Sequence, residues 1–206
     1  MHYSQGQVNK EPQMIENAEY IIYIPQGIDY HKQYPLCIAL SPNADAHSMI
    51  ALWSEIADQY QLIIFASKEF RNGLGEGIIH KIVSSLEEVS PNLPINDSQI
   101  VATGFSGGGM GAHGFSFLYP ELIRAVIVNT GMMHSSYIVK KERYPTEKLA
   151  VFLSSPTDFR YDEMKRDREF LNRLNWQTKW IEFEGGHVIA PPSAYQEAVQ
   201  WLRNNF

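Results

Sequence analysis

Residues 104–108 read Gly104-Phe105-Ser106-Gly107-Gly108, a G-x-S-x-G pattern between an apolar run and a segment of helical composition. A serine on such a strand-to-helix turn has its hydroxyl exposed, and small residues on either side let strand and helix approach closely. The segment lacks the Lys-Ser/Thr pair of a phosphate-binding P-loop. A serine hydroxyl at its ordinary pKa is a weak nucleophile, so a base must lie within reach and a third group must hold that base. The chain has seven histidines. His187, in Phe183-Glu184-Gly185-Gly186-His187, follows the last apolar run, and two glycines let its loop turn back. His134, after the fifth run, is the competing candidate and otherwise a pocket-lining residue. His2, His31, His47, His80 and His113 fall on the terminus, a turn-rich connection or helical segments, and read as surface or packing residues. For the acid, Asp158 closes Ser154-Ser155-Pro156-Thr157-Asp158, directly after the run that precedes the histidine, and Asp162 is the alternative.

The tetrahedral oxyanion of such a reaction also needs donors. The backbone N–H of Gly107 is one. The facing loop reads Ser41-Pro42-Asn43-Ala44, where Pro42 has no N–H to give, so Asn43 is the expected second donor with Ala44 behind it. The same loop also reads as an ordinary Pro-Asn turn.

These residues need elements to position them. Short runs rich in Ile, Val, Leu and aromatics predict strands over 18–25, 35–42, 61–67, 99–105, 124–130, 149–155 and 178–184. Several are continuously apolar, as expected of strands buried on both faces. Between them, 46–60, 77–89, 107–119, 162–175 and 193–204 carry apolar residues at helical spacing. The alternation predicts an α/β fold: a three-layer α/β/α sandwich around a mostly parallel sheet of about seven strands. The first strand, joined to the second by the turn-rich 26–34, is expected as an antiparallel edge hairpin. Chemistry in such sheets collects at the carboxyl ends of the strands, where Ser106, Asp158 and His187 all fall.

The chain of 206 residues reads as one domain, with 1–17 as a poorly structured extension. Lys and Arg number 17 against 23 Asp and Glu, with no basic block, which argues against a nucleic-acid partner. The single cysteine, Cys37, excludes an intramolecular disulfide and any cysteine-based metal centre, and its place in an apolar run reads as core. No apolar run nears the roughly 20 residues of a membrane span, and 1–13 lacks an apolar leader. The expectation is a cytoplasmic protein without membrane insertion.

With Ser106, Asp158 and His187 in this order on this alternation, the chain resembles the α/β-hydrolase superfamily over nearly its whole length. Gly104–Ala112 (GFSGGGMGA), the Ser154-to-Asp158 step and Glu182–His187 (EFEGGH) are similar to small serine esterases related to polyhydroxyalkanoate depolymerases and feruloyl esterases. The resemblance implies Ser106 as nucleophile, His187 as base, Asp158 as its partner and Gly107 as an oxyanion donor, with no metal or organic cofactor. It implies hydrolysis of small-molecule or polymer-derived esters; thioesters and peptides are alternatives for the same triad, as is a non-catalytic binding role on the scaffold. Many members carry His-Gly-Gly where this chain has Ser41-Pro42-Asn43, which leaves the second donor open. Relatives often insert a lid between the fifth and sixth strands, but residues 131–148 are too few for a helical cap, so an open site is expected. Phe105, His134 and Phe159 are the candidate pocket residues, with Tyr137 and Tyr161 as further aromatics, the aromatics reading equally as packing; 73–77 reads as a plain loop, with bordering the site as the alternative.

Overall fold

The computed structural model describes residues 8–206. Eight strands form one sheet: β1 (Gln13–Glu16), β2 (Tyr20–Ile24), β3 (Tyr34–Leu40), β4 (Ile63–Ser67), β5 (Ile95–Phe105), β6 (Ala125–Asn129), β7 (Leu149–Ser154) and β8 (Gln177–Glu182). Their spatial order is β1-β2-β4-β3-β5-β6-β7-β8. The pairs β1–β2 and β2–β4 are antiparallel and the rest are parallel.

The hairpin and the N-terminal extension are corrected at this edge. The sheet of about seven expected strands has eight, and the strand that no run marked is Gln13–Glu16, which pairs with β2 in the register Met14↔Tyr23. Part of the expected N-terminal extension is therefore strand, while residues 1–7 of it lie outside the described residues. Nor do β2 and β3 form a hairpin. The β3–helix–β4 crossover places β4 beside β3 on the side facing β2, and Tyr20↔Ser67 through Tyr23↔Ile64 become the antiparallel partners.

The helices are α1 (Ala46–Tyr60), α2 (Glu76–Val89), α3 (Gly107–Leu118), the short α4 (Ser135–Val139), α5 (Tyr161–Arg173) and α6 (Pro192–Arg203). They cover both faces. In β3, Leu36, Ile38 and Leu40 join a core with Ile79, Ile82 and Leu86 of α2, Phe115 of α3 and Met164 and Leu171 of α5. The alternate residues Cys37 and Ala39 join Trp53 and Ile56 of α1 and Tyr195 and Val199 of α6. Strands β4, β6 and β7 are buried along their whole length, which is why their sequences read as unbroken apolar runs. Asp45 starts α1 by accepting from the Ser48 N–H at 3.0 Å. Between β6 and β7 the chain makes only α4 and a single 3-10 turn at Lys141–Arg143, so among the described residues this connection carries no cap domain. Among the described residues, no helix is long and apolar enough to cross a membrane.

Candidate active site

Ser106 stands where β5 ends and α3 begins, with φ 54° and ψ −116°. A non-glycine residue rarely adopts this backbone, and the packing around it enforces the turn. A methyl group on Gly104 would fall 2.3 Å from the Gly108 carbonyl carbon, and one on Gly108 would fall 2.1 Å from the Leu40 oxygen. Only hydrogen fits at either place, so the helix start is pressed against β3 and β5. The Ser106 N–H donates to the Asn129 carbonyl at 2.9 Å, tying the turn to β6 as well.

His187 arrives on the loop after β8, where Gly185 and Gly186 take φ of 136° and 76°. Its Nε2 is 2.9 Å from Ser106 Oγ, and its Nδ1 is 3.1 Å from each carboxylate oxygen of Asp158. A carboxylate only accepts, so the imidazole proton belongs on Nδ1 and Nε2 is left to accept from the serine hydroxyl. Asp158 is buried, and its Oδ1 also accepts from the Arg160 N–H at 2.7 Å. The imidazole is flanked by two phenyl rings, Phe105 at 5.2 Å and Phe159 at 4.5 Å between centroids. Phe159 is 70 % exposed, and with the exposed Val188 and Ile189 it forms an apolar rim on the His187 side.

The loop carrying His187 is fixed by a residue that sequence reasoning missed. Asn129, wholly buried at the carboxyl end of β6, accepts from the Ala190 N–H and the Tyr195 hydroxyl, each at 2.9 Å. Ser155 Oγ accepts from the Gly186 N–H at 2.9 Å. The available signal was a single polar residue ending an otherwise apolar run.

Gly107 is the first residue of α3, where a helix leaves backbone N–H groups without intrahelical partners. In the facing loop the Asn43 N–H points to Ser41 Oγ at 3.3 Å, and the Ala44 N–H to the Ser41 carbonyl at 3.3 Å. This loop is stitched to the one after β4, since the Asn72 N–H donates to the Pro42 carbonyl at 3.0 Å and Asn43 bridges Arg71. Beside Gly107 opens a cavity of about 430 Å³, lined by Phe70, Leu74, Ile78, Met110 and Tyr137 among others.

His134 borders this cavity and caps α4, its Nδ1 accepting from the Ser136 N–H at 3.2 Å. Asp162 sits in the first turn of α5. The structure thus brings Ser106, His187, Asp158, Phe105 and Phe159 together, sets Gly107 and His134 along the cavity, and leaves Asn43 exposed outside the cavity lining. Tyr161 lies apart, its hydroxyl donating to Glu182. Residues 73–75 do border the cavity.

No protein-family model matches the sequence, and neither does any curated protein. Solved structures match in fold. S-formylglutathione hydrolase from Staphylococcus aureus aligns with TM-score 0.72 at 12 % identity, over 96 % of this chain and 98 % of that one. A fluorophosphonate-binding serine hydrolase F of the same organism aligns with TM-score 0.69 at 11 % identity, over 93 % and 97 %. A thermostable esterase aligns with TM-score 0.70 at 17 % identity over 94 % of this chain, which spans only 62 % of that protein's length. Strand order, crossover helices and these alignments agree: the chain has the α/β-hydrolase fold.

Proposed function

We propose that this protein is a serine hydrolase that cleaves carboxylic esters through an acyl-enzyme. The observation that carries the reading is the unbroken relay from Ser106 Oγ through His187 Nε2 and Nδ1 to Asp158, at 2.9 and 3.1 Å. Ser106 Oγ attacks the carbonyl carbon while Nε2 takes its proton; Asp158 holds the tautomer and balances the imidazolium. The oxyanion forms beside the Gly107 N–H. His187 then protonates the leaving alkoxide, and a water activated by the same imidazole releases the acid.

Substrate orientation follows from these roles. The leaving oxygen must reach Nε2, so the alcohol lies on the His187 side against Phe159, Val188 and Ile189. The acyl group then points past Gly107 into the cavity, where Phe70, Leu74, Ile78, Met110 and Tyr137 offer apolar contact and Arg71, Asn72 and His134 are polar, and whose size suits a medium chain or an aryl group. The partner is a small-molecule or polymer-derived ester, met without a lid.

The test is fluorophosphonate labelling of wild type, Ser106→Ala and His187→Ala with peptide mapping, beside p-nitrophenyl ester turnover. Expected is an adduct on Ser106, absent in the first variant and slowed in the second, with ester turnover falling by several orders of magnitude in Ser106→Ala. A folded wild type that takes no label and turns over no ester would point to a binding role on this scaffold.

A further inference from the structure

We infer that the side-chain amide of Asn72 is a donor to the oxyanion, completing the hole that Gly107 begins. The inference rests on the serine-hydrolase reading and extends it to a residue that the sequence did not single out. Three observations carry it.

Asn72 lies directly against the residue after the nucleophile. A methyl group on Gly107 would fall 1.6 Å from Asn72 Oδ1 and 3.1 Å from Nδ2, so the amide occupies the space over the Gly107 Cα. Asn72 is exposed, and its amide makes no hydrogen bond to another described residue, so both ends are free to turn toward a substrate. The facing loop, meanwhile, is short of free donors. Pro42 has none, the Asn43 N–H is turned to Ser41 Oγ at 3.3 Å, and the Ala44 N–H to the Ser41 carbonyl at 3.3 Å.

The position of Asn72 is also fixed rather than incidental. Its own N–H is bonded to the Pro42 carbonyl at 3.0 Å, and the Asn43–Arg71 bridge closes the two loops on each other. The side chain therefore projects from a pinned backbone toward Gly107. Rotation about its terminal torsion exchanges the carbonyl and amino ends, and an anion on the substrate carbon selects the amino end. In the ground state a neutral carbonyl draws little from such a donor. When the oxygen becomes an alkoxide the bond is charge-assisted, so the gain falls on the transition state. In this way a chain with Ser-Pro-Asn in the facing loop can still hold an oxyanion with two donors.

The test uses the full chain, a p-nitrophenyl ester, its thionoester and an alkyl trifluoromethyl ketone as tetrahedral analogue. Asn72→Ala removes the amide, and Asn72→Asp keeps its shape without the donor. Both should lower kcat for the ester about 100-fold, leave KM within about threefold and weaken the ketone by a similar factor. Turnover of the thionoester, whose sulfur accepts hydrogen bonds poorly, should fall much less. If wild type reacts and both variants keep kcat within twofold, or lose ester and thionoester turnover in equal measure, Asn72 is no oxyanion donor and the hydrolase reading stands. If folded wild type neither labels nor turns over ester, the hydrolase reading fails and this inference fails with it.

Discussion

Asn129 Oδ1 accepts the backbone N–H of Ala190 at 2.9 Å across 61 residues of sequence, so the loop bearing His187 hangs from the end of β6. The same strand end receives the Ser106 N–H. Ser106 and the loop bearing His187 are thus both tied to one buried residue, with His187 Nε2 2.9 Å from Ser106 Oγ.

Asn129→Leu should therefore damage both stability and turnover. It leaves the Ala190 N–H and the Tyr195 hydroxyl unpaired in the interior, at about 1–3 kcal/mol each. The expected loss is about 2–4 kcal/mol in urea unfolding, with kcat reduced even at temperatures where the variant is fully folded. Unchanged kcat in a folded variant would mean that Asn129 serves stability alone.

Asp158→Asn tests the tautomer argument. An amide facing Nδ1 through its amino group would favour the proton on Nε2, turning the base away from Ser106. A loss of kcat near 10⁴ is expected while the fold is kept, the size of effect this change has in a serine protease triad. Near-normal turnover together with loss in Asp162→Asn would hand the role to Asp162.

The glycines of the turn should be unequal to others in the chain. Gly108→Ala puts a methyl 2.1 Å from the Leu40 oxygen, a backbone atom that cannot swing aside, and should prevent folding or displace α3. Gly77, in the first turn of α2 with nothing within 4 Å of the same methyl, should accept alanine with a stability change of no more than about 1 kcal/mol. Circular dichroism and thermal melts of the two variants separate close packing from a general intolerance of substitution.

What the sequence made legible and what it hid divide along one line. The meeting of Ser106, Asp158 and His187 at one sheet edge was legible because each follows an apolar run, and local pattern reports where a buried strand ends. Helix bounds such as 46–60 were equally visible from periodicity. The pairing of β2 was not, since it depends on where the β3–α1–β4 crossover sets β4 down. β1 was invisible because its strand state comes from its partner rather than from its own residues. Asn129 and Asn72 belong to the same class: their positions are set by contacts across the fold, which no single-chain pattern encodes.

Two buried ionisable groups outside the site should oppose each other in the pH dependence of stability. His113 is fully buried in α3 with neither ring nitrogen bonded, and burial brings its imidazole from 6.5 down to about 4. Folded His113 stays neutral while the unfolded chain protonates, so stability is lost as the pH falls from 6.5 toward 4. The loss is roughly 3 kcal/mol at about 1.4 kcal/mol per pH unit. Asp167 behaves oppositely. Burial raises its carboxyl from 3.8 to about 7, against the Met133 N–H that it accepts at 2.6 Å, with Glu163 raising it further and Arg166 lowering it. The unfolded chain ionises first here, so stability is highest below the unfolded value and is lost as the pH rises to about 7. Between pH 4 and 6.5 the two effects largely cancel, and each single variant should unmask the other. Relative to wild type, His113→Leu should gain stability progressively as the pH falls through that range. Asp167→Asn, which keeps an acceptor for Met133, should gain it as the pH rises. Urea unfolding at pH 4, 5, 6 and 7 reads both differences, and a gain independent of pH in either variant would remove that group from the account.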